Sequence, residues 1–230
     1  IINGGMQVAQ RNTSVTVSNG SNEGYSTLDR FSLTFGSSLA GSVTYSQDSD
    51  APDGFGNSLK IQCASTDTPT GSESLYVLTK LEGQDLQRLC YGSSGAKTVI
   101  LSFYAKRAGT DWGNISIQAN KVDGTEEWFV AGATTLTTSW ARYSITIPAN
   151  TANTIANNNS ASLIIRFSLS GISGGTYAGA TDTAWGSSRK DYNTGIGNLL
   201  SDTSNIFYLA GVQLELGSNA TPFEHRSYGE

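Results

Sequence analysis

Hydrophobic and polar residues alternate along several segments of the chain, which is the pattern of a β-strand with one buried face. The clearest segment is residues 99–106, in which Val99, Leu101, Phe103 and Ala105 share one side. Similar segments predict further strands at residues 14–17, 31–35, 42–46, 58–63, 114–119, 142–147, 162–169 and 207–216. This number of strands predicts an all-β protein built as a two-sheet antiparallel β-sandwich, preferably a jelly roll.

Two segments carry more specific predictions. In the last predicted strand, we expect four residues to face the core, namely Ala210, Val212, Leu214 and Leu216. Residues 78–89 are the one candidate for a helix, anchored by Leu81, Leu86 and Leu89, with a loop containing a single turn as the alternative.

The longest irregular stretch covers residues 171–199. It is rich in Gly and contains Trp185, Tyr192 and the charged run Arg189, Lys190 and Asp191. Loops of this length in a compact domain are usually functional or mobile. No Pro-rich, Gly/Ser-rich or charged linker marks a boundary, so we expect one domain over residues 1–230.

The composition agrees with this class and excludes several functions. The chain has 26 Gly, a net charge of -5 and 14% charged residues, against about 25% in an ordinary domain. An acidic chain with few cations does not fit nucleic-acid binding. No apolar run approaches the ~20 residues that span a bilayer, and 10% aromatic residues indicate a packed core.

The cysteines and the first residue bear on processing. Cys63 and Cys90 are too few for a disulfide scaffold, so we expect two buried thiols on or beside strands, with a disulfide between them as the alternative. The chain starts at Ile1 and shows no signal-peptide pattern, so we expect a processed product or a fragment of a longer protein.

Three stretches resemble a known group of proteins. Residues 2–14 (INGGMQVAQRNTS) resemble the opening of these proteins, and residues 56–61 (GNSLKI) resemble one of their strands. The most specific match combines residues 198–200 (NLL), 207–217 (FYLAGVQLELG) and 220–229 (ATPFEHRSYG). This ending is similar to that of tail-fibre and other appendage proteins of tailed phages. A departure is Ala9, where the family often has Trp.

The resemblance covers most of the chain and implies a jelly-roll sandwich similar to carbohydrate-binding modules, displayed on a virion. The implied role is non-catalytic attachment of the phage to a host surface glycan, or positioning of a neighbouring receptor-binding part. Phage fibres are typically homotrimers, so the resemblance also implies a trimer in contact with other virion proteins. The protein would be made in the host cytoplasm and act outside the cell. The alternative is a structural fibre, baseplate or capsid-decoration module without a ligand.

Residues suited to catalysis are scarce. His225 is the single histidine and lies between Glu224 and Arg226, so an ion cluster or a neighbour contact is expected rather than a catalytic base. No signal in the sequence pairs two carboxylates for glycoside hydrolysis. We therefore expect no enzymatic activity and no cofactor, with a glycan-processing enzyme as the least favoured alternative.

One acidic run is a weak candidate for a structural Ca²⁺ site. Asp48, Asp50 and Asp53 precede Gly54, and carboxylates in a bent loop suit this cation. The spacing departs from the EF-hand loop and lacks its closing Glu. A solvated turn capped by Asp side chains is the preferred interpretation.

Sugar binding calls for aromatic rings and a few convergent polar groups at a shallow site. Candidates on outward strand faces are Tyr104, Gln118, Arg166, Gln213 and Glu215. Candidates in loops are Trp112, Trp128, Trp185 and Tyr192. We expect Trp112 to be the most exposed and Trp140 to lie in the core, whereas Trp128 could pack under a hairpin and Trp185 could fasten its loop. The same aromatic residues would also suit a subunit interface.

Overall fold

The computed structural model describes residues 1–225, and all nine predicted strands are present in it. The strands are β1 (Ser14–Ser18), β2 (Phe31–Gly36), β3 (Ser42–Asp48), β4 (Ser58–Ser65), β5 (Ser74–Glu82), β6 (Val99–Ala108), β7 (Asn114–Lys121), β8 (Glu127–Val130), β9 (Thr134–Thr135), β10 (Ala141–Ile147), β11 (Ala161–Ser170), β12 (Ala178–Gly179), β13 (Tyr192–Asn193) and β14 (Ile206–Leu216). Short 3-10 helices occupy Gly83–Leu89 and Leu199–Ser201. The phage-like ending extends to residues 226–229, which lie outside the described residues.

The strands form two large antiparallel sheets. Sheet 1 has the order β1-β3-β4-β14-β6-β10, and sheet 2 has the order β2-β5-β11-β7-β8, with β9 paired to β7. From β4 to β7 and again from β10 to β14, successive long strands alternate between the sheets, as in a jelly roll. The predicted fold class, a two-sheet antiparallel jelly-roll sandwich, is confirmed.

The core lies between the sheets, where the alternation predicted it. The inward residues Val99, Leu101, Phe103 and Ala105 of β6 are fully buried, and the inward residues of β7 and β11 are buried as well. Burying a large aliphatic or aromatic side chain contributes about 1.5–3 kcal/mol, so this core is the main stabilising element. Within residues 1–225 there is no helix with the length and apolar character that a membrane span requires.

Strand β14 contains a bulge that changes which residues face the core. Its register with β6 shifts between Ala210 and Gln213, and Gly211 between them has a φ of +60°. The extra residue reverses the alternation, so Phe207 and Leu209 are buried before the bulge although the regular pattern did not place them inward.

The predicted core residues of β14 are therefore correct only in part. Ala210 and Val212 are fully buried, and Leu214 is half-buried against the core. The prediction for Leu216 is wrong, because this last residue of the strand is 43% exposed.

The helix predicted at residues 78–89 is wrong in its first half. Strand β5 continues to Glu82, and only Gly83–Leu89 forms a 3-10 helix, with Leu86 and Leu89 buried. The strand escaped prediction because it has apolar residues on both faces: Leu78 points away from the core and is nevertheless 6% exposed. A continuous apolar run hides the period of two.

The two cysteines do not pair. Cys63 is buried on β4 as predicted, whereas Cys90 is exposed, which contradicts the prediction of a buried thiol. Cys90 follows the 3-10 helix and ends it in the left-handed conformation. The residue therefore ends a helix instead of lying on a strand, where the alternation would have buried it.

The bulge predicts a strong effect of substituting Gly211→Ala. A β-carbon at this position would lie 2.8 Å from the rings of Phe55 and Tyr104, in a conformation that L side chains rarely adopt. We expect the free energy of unfolding to fall by at least about 1–3 kcal/mol, measured by chemical denaturation. Gly174→Ala is the control, because its β-carbon would meet nothing within 4 Å. Equal stability of the two variants would contradict this account.

Candidate functional site

The outward face of sheet 2 carries two neighbouring rows of side chains. The register places Ser32, Leu78, Arg166, Gln118 and Val130 in one line across the five strands. Neighbouring strands are about 4.8 Å apart, so Arg166 and Gln118 are adjacent on this surface.

The second row, displaced by two residues along each strand, is also polar. It consists of Thr34, Tyr76, Ser168 and Ser116. Hydroxyl, amide and guanidinium groups therefore cover the middle of the sheet. The ring of Tyr76, a residue of β5, lies at one side of this polar area.

The long loop of residues 171–199 lies across part of this face. Ser168 Oγ donates a hydrogen bond to the carbonyl of Asp191 (3.0 Å), and the backbone N–H of Asn193 donates to Ser116 Oγ (2.7 Å). Gln118 Nε2 donates to the carbonyl of Lys190. The loop covers this part of β11 and β7 but not β5. Tyr76 of β5 therefore lies at the border of the loop.

The carboxylate of Asp191 holds two arginines at this border. Its side chain is 2% exposed, and Oδ1 accepts hydrogen bonds from Arg166 Nη1 (2.9 Å) and Arg189 Nε (3.2 Å). Oδ2 accepts a further bond from Arg189 Nη2 (2.8 Å). Both guanidinium groups are therefore fixed in orientation by charge-assisted hydrogen bonds.

Each of these arginines also rests on a tyrosine ring. The guanidinium of Arg166 lies 4.8 Å from the ring centre of Tyr76, and that of Arg189 lies 4.0 Å from the ring centre of Tyr177. Burial raises the pKa of Tyr76, and the nearby Arg166 lowers it by less, so the phenol is neutral. We call these five residues, Tyr76, Arg166, Tyr177, Arg189 and Asp191, the Tyr–Arg cluster.

Three buried polar atoms of sheet 2 have no hydrogen-bond partner within residues 1–225. They are Arg166 Nε, Gln118 Oε1 and Ser170 Oγ. Buried polar atoms nearly always have a partner, supplied by the protein, by water or by a ligand. The hydrogen-bonding capacity of these three buried atoms is therefore not used by residues 1–225.

The structure brings some of the predicted site residues together here. Gln118 and Arg166 are neighbours in the first row, and Trp128 lies on β8, where its backbone pairs with Gly186 of the loop. Tyr192 lies in the loop, but it is fully buried and its ring packs against Gly171. Trp128 and Tyr192, two of the four aromatic residues predicted in loops, therefore belong to short strands. Trp128 is 8% exposed, and the contacts of both residues hold the loop in place.

Trp185 also fastens the long loop. Its indole Nε1 donates to the carbonyl of Pro148 (2.8 Å), and its ring contacts Tyr91 and Phe129. This agrees with the interpretation in which Trp185 staples its loop to the body of the protein.

The expected exposure of Trp112 is wrong. Its side chain is 4% exposed and belongs to the core. The flanking Gly and Asp residues suggested a surface turn, but the N–H of Asn198 donates to the carbonyl of Trp112 and that of Gly197 to the carbonyl of Asn114, so a second segment packs against this turn. Trp140, expected in the core, is half-buried and contacts Tyr208.

Three other predicted residues lie on the outward face of sheet 1. Tyr104 is covered by Phe55, with ring centres 5.4 Å apart. Gln213 Nε2 donates to the carbonyl of Pro222 (3.3 Å), and Glu215 accepts from Thr221. Burial opposes ionisation of Glu215, but the hydrogen bonds from Thr221 and Gln213 outweigh it and hold the pKa of Glu215 below its usual range.

Gln213 and Glu215 also line a groove of about 1130 Å³ between residues 1–10 and 221–225. Several polar side chains in this groove are already engaged by its own walls. Asn3, for example, donates to the carbonyls of Val8 and Asp29. His225 lines the same groove and contacts the rings of Phe55 and Phe223, so the predicted neighbour contact is present. The groove is less suited to a polar ligand than the face of sheet 2.

Two carboxylates of the acidic run form contacts within the protein. Asp48 pairs with Lys60 (3.0 Å) and Asp50 with Lys106 (2.5 Å), and the N–H of Asp50 donates to Asp48 Oδ1 as in an Asx-capped turn. No group of three or more possible metal ligands occurs in residues 1–225. The side chains of the Ca²⁺ candidate, including the exposed Asp53, therefore do not converge.

Four residues of the cluster, Tyr76, Tyr177, Arg189 and Asp191, were not among the predicted site residues. The charged run at 189–191 was the one available signal, because it stands out in a chain with few charges. Tyr76 could not be found because its strand was not recognised.

The fold and this cluster define an all-β sandwich with a polar, tyrosine-bearing sheet face. No protein-family model matches the chain, and no curated protein matches it either. A solved structure of CBM4 is 15% identical over 94% of this chain and 98% of that chain, with a TM-score of 0.41.

Two further solved structures show the same level of similarity. The C-terminal family 22 carbohydrate-binding module of Clostridium thermocellum Xyn10B is 11% identical over 82% of this chain and 88% of that chain, with a TM-score of 0.41. The family 11 carbohydrate-binding module of Clostridium thermocellum, in complex with a β-1,3-1,4-mixed-linked tetrasaccharide, is 13% identical over 88% and 94%, with a TM-score of 0.41. TM-scores this low do not assign a fold or a function to this chain. Its fold is defined by the strand order, and its candidate site by the contacts described above.

The cluster predicts that Asp191→Ala loosens the loop. Removing the carboxylate leaves Arg166, whose side chain is 13% exposed, without its charged partner. Breaking such a buried pair costs about 3–5 kcal/mol, which we expect as a loss of unfolding free energy in chemical denaturation. Limited proteolysis should then cut within residues 171–199 sooner than in the parent. Asp53→Ala, at an exposed position, is the control; unchanged stability of D191A would refute the role assigned to this carboxylate.

Proposed function

We propose that the protein is a non-catalytic carbohydrate-binding domain whose ligand binds at the Tyr–Arg cluster. The observation that carries this proposal is the pairing of two half-buried tyrosine rings with two oriented guanidinium groups where the long loop meets the outward face of sheet 2. Aromatic rings pack on the apolar face of a sugar, and planar donors hydrogen-bond its hydroxyls. Such a shallow, partly aromatic site with a few fixed polar groups suits this class of ligand.

The preorganisation of the cluster supports the proposal. Asp191 and the tyrosines fix both guanidinium groups before a ligand arrives, so little side-chain entropy is lost on binding. Arg189 remains 48% exposed and is available to a ligand at the border of the loop.

The biological setting that we propose follows from the phage-like segments. A tail appendage that displays this domain would attach the virion to a surface glycan of its bacterial host. Affinity at a single shallow site would be modest, and display of several copies would raise it through avidity. The homotrimer, the contacts with other virion proteins and the location on the virion stay predictions.

The binding proposal is tested by the double variant Y76A/R189A. On an array of bacterial lipopolysaccharide and capsular glycans, we expect the parent to bind a subset and the double variant to lose at least about tenfold in affinity. Circular dichroism and thermal unfolding establish that the variant is folded.

The matched control is W140A, which removes an aromatic ring from the outward face of the opposite sheet. Trp140 contacts Tyr208 and Asp50 there and is remote from the cluster. If W140A abolishes binding and Y76A/R189A does not, the ligand binds to sheet 1. Absence of any glycan binding by the folded parent would leave the structural-module alternative.

A further inference from the structure

Three of the four edge strands of the two sheets are covered by the chain itself. At β2, Leu33 exchanges both backbone hydrogen bonds with Gly24, and at β8, Trp128 does so with Gly186. At β1, the last residue, Ser18, pairs with Ser21 in the same way across a tight turn, and Asn22 Nδ2 donates to the carbonyl of Thr16 (2.9 Å). Covering an edge prevents its unpaired N–H and C=O groups from recruiting another strand.

Strand β10 is the exception. It has seven residues, Ala141–Ile147, and pairs with β6 on one side only. Within residues 1–225, no backbone or side-chain group donates to or accepts from its other edge. Ser144 and Thr146 are exposed, which agrees with an edge that faces solvent.

The side chains of β10 do not protect this edge. In natural proteins, charged residues, Pro or bulges on an edge strand prevent it from pairing with another chain. Strand β10 contains no Pro and no bulge. Its one charged residue, Arg142, is turned onto sheet 1, where Nη2 donates to Ser102 Oγ (3.0 Å) and to the carbonyl of Thr221. Tyr143 and Ile145 favour strand pairing instead.

We propose that β10 pairs antiparallel with β10 of a second copy, about a two-fold axis through Ser144. Ser144 is the middle residue of the strand, so this register pairs all seven residues, and any other centre pairs fewer. The two six-stranded sheets would then continue into one another through their open edges. A two-fold contact of this kind uses the same surface on both copies, as in most homodimers.

The charges and side chains favour a second copy as the occupant. In this register Tyr143 faces Ile145 of the other copy, an aromatic and β-branched pair that stabilises sheets. Arg142 faces Thr146 of the other copy, so no two charges meet across the contact. The chain carries a net charge of -5, and β10 contains no acidic residue, so pairing of this strand brings no carboxylates of the two copies together.

This contact joins two copies and is independent of glycan binding, because β10 lies at the edge of the opposite sheet from the cluster. It also uses the one edge strand that has no hydrogen-bond partner on its outer side within residues 1–225. A trimer of the kind implied by the phage resemblance would therefore need a different surface.

Charge substitutions at Thr146 test the register. In sedimentation-velocity measurements over a range of concentrations, we expect the parent to show a monomer–dimer equilibrium. T146K places a positive charge opposite Arg142 of the other copy and should weaken the dimer by at least about twofold, whereas T146E should strengthen it by a similar factor. The matched controls are T16K and T16E, at an exposed position on the covered edge strand β1, which should leave the equilibrium within twofold of the parent.

A cross-link tests the axis directly. In a Cys90→Ser background, Ser144→Cys should form an intermolecular disulfide under mild oxidation, because residues at a two-fold axis in an antiparallel pair lie opposite one another. Thr16→Cys in the same background should not. A parent that stays monomeric at all concentrations, or a dimer indifferent to both Thr146 charges and to cysteine at 144, would overturn the proposal.

Discussion

Burial of alternate side chains between two sheets is the constraint on which the rest of the structure depends. Because the period of a strand is two, the inward residues of β11, such as Ile165 and Phe167, also determine that Arg166 points outward. The pairing register then brings Arg166 beside Gln118 of β7. The outward face is a consequence of how the core is packed, and its polar rows are the surface on which a binding site can be built.

The position of the long loop depends on a second, local interaction. Asp191 is removed from solvent, and the two arginines that satisfy it come from different parts of the chain, Arg166 from the sheet and Arg189 from the loop. The same contacts that hold the loop orient both guanidinium groups above tyrosine rings. Stability of the loop and geometry of the candidate site therefore share one origin, and the arginines are ordered without help from a ligand.

The edges of the sheets complete this arrangement. Loops that cover β1, β2 and β8 leave β10 as the one edge without a partner in the described residues. The proposed glycan-binding face and the open edge belong to different sheets, so attachment to a surface and pairing of copies would not compete. A modest single site gains most from multiple display, which connects the proposed assembly with the proposed function.

The sequence by itself determined the class of fold and the inward residues of the regular strands, because alternation is a local signal of one-sided burial. It failed at β5, where Leu78 makes both faces apolar, and at β14, where the bulge at Gly211 shifts the alternation. The tertiary structure alone decided that Trp112 lies inside and that Tyr76, Arg166 and Asp191 meet. These contacts join residues far apart in the chain, and their formation depends on how loops close over the sheets, which no local pattern records.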